Sequence, residues 1–89
     1  MKIEITQRVR QYGYFIWKKS QDEKMINLLG DGRAKVHLIF DNAILGEKNV
    51  DWKNRRISIG WRWTRALPEA KKYFVVSFQK PNTLEIKCR

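Results

Sequence analysis

Apolar and polar residues alternate with the period of a β-strand along much of the chain, and with the period of a helix in one place. Successive strand side chains point to opposite faces, so Lys35 to Phe40 puts Val36, Leu38 and Phe40 on one face, and Thr83 to Cys88 does the same with Leu84, Ile86 and Cys88. From Arg56 to Thr64 the alternation predicts a strand with Ile57, Ile59, Trp61 and Trp63 inward and Arg56, Ser58, Gly60, Arg62 and Thr64 outward. Lys2 to Thr6 alternates with Ile3 and Ile5 inward, and Tyr12 to Trp17 is β-branched and aromatic on both faces. These two stretches are one strand broken near Gly13, or two. Tyr73 to Phe78 supplies a further strand. The helical stretch follows Ser20, which stands three residues before Glu23 in a capping-box spacing; Met25, Ile26, Leu28 and Leu29 share a face, and Gly30 ends the helix, giving a span of about 20–29.

Turn residues join these elements. Asp41-Asn42 predicts a tight hairpin into Ala43 to Leu45, and Gly46 to Asn49 predicts a second turn. Val50 and Trp52 then face the arginine-bearing strand across Lys53-Asn54, and Pro81-Asn82 joins the last two strands. Leu67-Pro68-Glu69 interrupts the sheet and opens a single helical turn through Lys72. Gly30-Asp31-Gly32 reads as a helix terminator, because no full glycine-rich phosphate fingerprint surrounds it. The expected fold is α+β and mostly β: a small antiparallel sheet or partly open barrel of six to seven strands with one short helix. At 89 residues the chain is one domain spanning 1–89, able to bury roughly 60–65% of its unfolded surface without metals or disulfides.

Charge changes the picture most. Nineteen Lys and Arg stand against nine Asp and Glu, for a net charge of +10 and a pI of about 10.1, the usual footprint of a nucleic-acid binder. The excess is segregated: residues 1–19 carry five cations and one acid, residues 20–51 four and six, and residues 52–89 ten and two. Separated signs give a field with direction, which steers a polyanion to one side. Cys88 is the only cysteine, so no intramolecular disulfide forms and a cytoplasmic location is expected. No apolar run is long enough to cross a bilayer and no signal-peptide pattern opens the chain, so no membrane partner is expected.

Two basic sets are the candidate nucleic-acid contacts. Lys53, Arg55, Arg56, Arg62 and Arg65 lie in a stretch with no acid, and their phase with Ser58 and Gly60 turns Arg56 and Arg62 toward a partner. Arg8, Arg10, Lys18 and Lys19 bracket the aromatic run Tyr12 to Trp17 and extend the same surface. The phase argument assigns Trp61 and Trp63 to the core rather than to base stacking. An apolar strand such as Tyr12 to Trp17 is either central and covered on both faces or part of a dimer interface. His37, the sole histidine, lies opposite Val36, Leu38 and Phe40 and is expected to be exposed. No His/Cys/Asp cluster has metal-ligand spacing, so no metal, no cofactor and no catalytic residues are expected.

The order of strand, turn, short helix and Gly-Asp turn into a strand in residues 13–42, GYFIWKKSQDEKMINLLGDGRAKVHLIFDN, resembles the swapped-hairpin pattern of AbrB-type transcription regulators and antitoxins. The family's proline after the first strand is replaced here by Trp17 and Lys18. The resemblance implies a DNA-binding dimer in which Arg8, Arg10, Lys18 and Lys19 belong to the basic strand and loop laid on DNA. Together these readings predict a non-enzymatic domain that contacts DNA or RNA phosphates. The alternatives are a protein-interaction module for an acidic partner and a metal-free ribonuclease using Arg, Lys, Tyr and His37.

Overall fold

The computed structural model describes residues 1–89. The elements in chain order are β1 (Lys2–Glu4), α1 (Gln7–Tyr12), β2 (Tyr14–Ile16), a single 3-10 turn (Lys19–Gln21), α2 (Asp22–Leu29), β3 (Lys35–Phe40), β4 (Ala43–Asp51), β5 (Arg56–Ser58), α3 (Trp61–Arg65), β6 (Tyr73–Gln79) and β7 (Thr83–Cys88). The seven strands form one sheet in the order β1-β6-β7-β3-β4-β5-β2. The mostly β fold, seven strands and partly open barrel agree with the sequence reading. One pairing is parallel rather than antiparallel: β3 runs alongside β7, with Leu38 opposite Leu84 and Phe40 opposite Ile86.

The sheet curls far enough for distant strands to meet across the core. Phe15 of β2 lies 6.1 Å from Phe74 of β6, and Phe74 lies 5.8 Å edge-on to Phe40 of β3. Val36, Leu38, Phe40, Ile57, Ile59, Leu84, Ile86 and Cys88 are all buried, as their phase requires. Met25 and Leu29 bring α2 onto this core, Leu28 packs against its flank, and Ile26 is half-buried. Barrel closure stops at β1 and β2, whose free edges face a cleft of about 430 Å³ lined in part by Ile3, Ile16 and Trp17.

Several local expectations are corrected. The first two alternating stretches are two strands, and residues 7–12, including the Tyr12 expected in the second, form a helix between them: the Thr6 hydroxyl caps it by accepting from the Val9 amide at 3.2 Å, and Gly13 ends it at φ 77°. The aromatic strand is therefore only Tyr14 to Ile16, and it is an edge strand with β5 as its one neighbour, not a central one. Residues 46–49 do not turn the chain. Gly46, at φ 83°, and Leu45 form a bulge, because Leu38 pairs Gly46 while the next residue, Ile39, pairs Ile44. At the start of α2 the cap is not Ser20. The Gln21 side chain instead accepts from the Lys18 amide at 2.9 Å, and a 3-10 turn precedes the helix. Around Pro68 the chain makes one turn closed by the Lys71 amide on the Pro68 carbonyl at 3.0 Å, and no helix.

Candidate functional site

The stretch that carries the most charge, expected as one strand, is a short strand followed by a helix. β5 ends at Ser58, and at Gly60 the backbone takes φ 116°, which side-chain-bearing residues rarely adopt. Trp61 to Arg65 then coil into α3. Alternation stops there, so the faces assigned beyond Ile59 do not hold: Trp61 is 50% and Trp63 45% exposed, whereas Thr64, expected outward, is fully buried. A helix of five residues does not hold itself together in water. Docking on α1 holds it: the Thr64 hydroxyl donates to the Arg10 carbonyl at 2.9 Å, and Gly13 is pressed so close that a Cβ there would stand 2.2 Å from the Trp61 nitrogen.

Around this junction, side chains from three elements meet. Arg8 and Tyr12 of α1, Tyr14 and Ile16 of β2, and Arg56 of β5 line a shallow depression of about 650 Å³ with no carboxylate on its wall. The strand register explains it: Phe15 points into the core, so Tyr14 and Ile16 point out, and Ile16 pairs Arg56 across the ladder. The Arg56 guanidinium lies 4.4 Å over the Tyr14 ring, a favourable contact for a cation and an aromatic face. It also reaches Asp51 at 3.4 Å. Asp51 is held below the usual carboxylate range first by the Asn54 side-chain amide, which donates at 2.9 Å, and so stays charged beside Arg56. On α3, Arg65 and Arg62 lie 4.8 and 5.5 Å from the Trp61 ring. Arg65 also donates to the Gln11 carbonyl at 3.4 Å. Tyr12 is 57% exposed. Arg8 and Arg56 thus share one depression, Arg65 touches α1 at the Gln11 carbonyl, and Arg62 lies over Trp61 on α3, so Arg56 and Arg62 do not share a strand.

Two predicted contacts are occupied elsewhere. Arg55 grips Asp22 with two nitrogens, at 2.9 and 3.0 Å, while the Trp17 indole donates to the same carboxylate at 2.8 Å. The Arg55 hydrogen bond, followed by that from Trp17, holds Asp22 below the usual carboxylate range. Arg55 ties β5 to α2 and is spent doing so. Arg10 donates to the carbonyls of Leu67, Pro68 and Lys71, which fixes the turn after α3. Lys53 and Lys19 are exposed with no ion pair. Lys18 and Lys2 line the cleft between β1 and β2, and Arg8 lines both this cleft and the neighbouring depression.

The remaining reactive groups stand apart from this surface. His37 is exposed on β3 opposite Glu47, with β4 and β5 between it and β2 in the sheet order. Cys88 is buried, and burial pushes its thiol up to about 11. No three His, Cys, Asp or Glu side chains gather as a metal-binding group. No helix is long and apolar enough to cross a membrane. Tyr12 and Tyr14 are not assigned to the site by sequence, because the break that puts Tyr12 on α1 and Tyr14 at the start of β2 is visible only as Gly13. Comparison of the chain with protein-family models, with curated proteins and with solved structures gives no match.

Proposed function

We propose that this domain binds nucleic acid through phosphate contacts from Arg8, Arg56, Arg62 and Arg65. The observation that carries the reading is the acid-free depression that Arg8 and Arg56 line together with Tyr12 and Tyr14. Three ion pairs engage Lys35, Arg55 and Arg56, which leaves sixteen of the nineteen cations without a carboxylate partner; Arg56 would exchange its 3.4 Å contact with Asp51 for a phosphate. Four phosphate contacts give a slope of about −3 to −4 for log affinity against log salt. Fluorescence anisotropy with labelled oligonucleotides between roughly 50 and 200 mM salt tests this. Binding that is absent or flat with salt overturns it.

A second reading, recognition of an acidic protein, is favoured by the free edges of β1 and β2. Their outward backbone groups can accept an added strand. Pull-downs with and without nuclease separate the two: partners that survive digestion favour protein recognition, and partners lost with it favour nucleic acid.

A further inference from the structure

Resting on the nucleic-acid reading, we infer that the ligand is single-stranded, with an unpaired base stacking on Trp61 beside the phosphate-binding arginines. A core that closes over Trp17 at 2% exposure leaves Trp61 and Trp63 half in water and Tyr12 more than half. The exposed rings are not loosely attached. Trp63 packs edge-on against the core residue Phe40 at 6.4 Å, the Thr64 hydroxyl ties α3 to α1, and the backbones meet at Gly13. α3 is thereby anchored, and it presents Trp61 with its cations already in place: Arg62 and Arg65 lie over Trp61, as Arg56 lies over Tyr14.

That pairing of ring and guanidinium fits one nucleotide at a time. A base laid on the indole displaces a guanidinium from the ring, and the displaced arginine has the phosphate of the same nucleotide within reach. The cation–π contact is exchanged for a stack and an ion pair. A duplex hides its base faces and would meet only the arginines. Groove readout by a helix is poorly served as well. α1 and α3 have six and five residues, less than about 10 Å of helix at 1.5 Å per residue, and the first turn of α2 carries Asp22 and Glu23, which repel phosphate.

Trp61→Ala and Trp61→Phe proteins, checked for native circular dichroism, are to be titrated with a fluorescent-labelled oligothymidylate strand, a labelled duplex of equal length and unlabelled inorganic polyphosphate as competitor. Intrinsic tryptophan fluorescence is read alongside. The inference expects the single strand to bind more tightly than the duplex and to quench fluorescence. Trp61→Ala should weaken strand binding roughly five- to hundredfold, leave competition by polyphosphate within about twofold, and abolish much of the quenching, while Trp61→Phe should retain most of the affinity. Equal binding of duplex and strand, or a Trp61→Ala protein with unchanged strand affinity, overturns the inference and leaves the phosphate reading standing. Failure to bind any nucleic acid at low salt overturns both.

Discussion

At the scale of single residues, arginine serves two purposes that sequence does not separate. Arg8 and Arg10 stand two positions apart in α1, yet Arg8 lines the open surface while Arg10 is bound by three backbone carbonyls. Arg55 and Arg56 are adjacent, yet one clasps Asp22 and the other lies on Tyr14. The Asp22 clasp has a pH signature. Because the folded state holds this carboxyl below its ordinary value of 3.8, its contribution to stability is complete above that value and is lost as pH falls through the lowered one. Acid titration of wild-type protein should therefore show stability declining below about pH 4, with a change in the fluorescence of Trp17, whose indole donates to the same carboxylate. Asp22→Asn should be less stable at neutral pH and should lose this part of the acid dependence.

At the scale of elements, the legible parts of the chain were those whose pattern persisted. β3 and β7 match their expected spans, and Asp41-Asn42 makes the expected turn, both residues taking positive φ. α1 and α3 are not legible because each, at six and five residues, is shorter than two helical turns, so no apolar stripe recurs, and each follows a stretch that alternates as a strand. In α3 the two tryptophans continue the phase of Ile57 and Ile59 after the backbone has changed conformation at Gly60. A glycine inside an alternating run was the one available sign, and alone it does not distinguish a bulge from a stop. The α1–α3 junction is also where a small change should do most harm. Gly13→Ala would combine a left-handed φ with a Cβ inside contact distance of the Trp61 backbone. A loss of at least about 2 kcal/mol is expected, a fall in Tm of roughly 10 °C, together with weaker oligonucleotide binding as α3 shifts. Thermal melts and anisotropy on this variant check both parts; unchanged melting would show that the approach at Gly13 is not tight in solution.

At the scale of the whole molecule, the sheet order bears on when the fold can form. β6 lies between β1 and β7, and both chain ends are bonded to it: the Met1 ammonium donates to the Val76 carbonyl at 3.1 Å, and the Arg89 amide donates to the Tyr73 carbonyl at 2.8 Å. During synthesis β1 emerges first, and its partner is not made until Tyr73 to Gln79 follow. At about 5–20 residues per second that interval is roughly 4–14 s. His37 to Phe40 of β3 also lack their β7 neighbour until Thr83 to Ile86 arrive. A chain ending at Lys72 would hold β1 and β3 with open edges and no cover for Ile3, Val36 or Leu38, so it should be digested rapidly by protease under conditions in which the 89-residue chain resists. Every nascent copy passes through that unpaired interval with the edges of β1 and β3 open to any other strand that meets them.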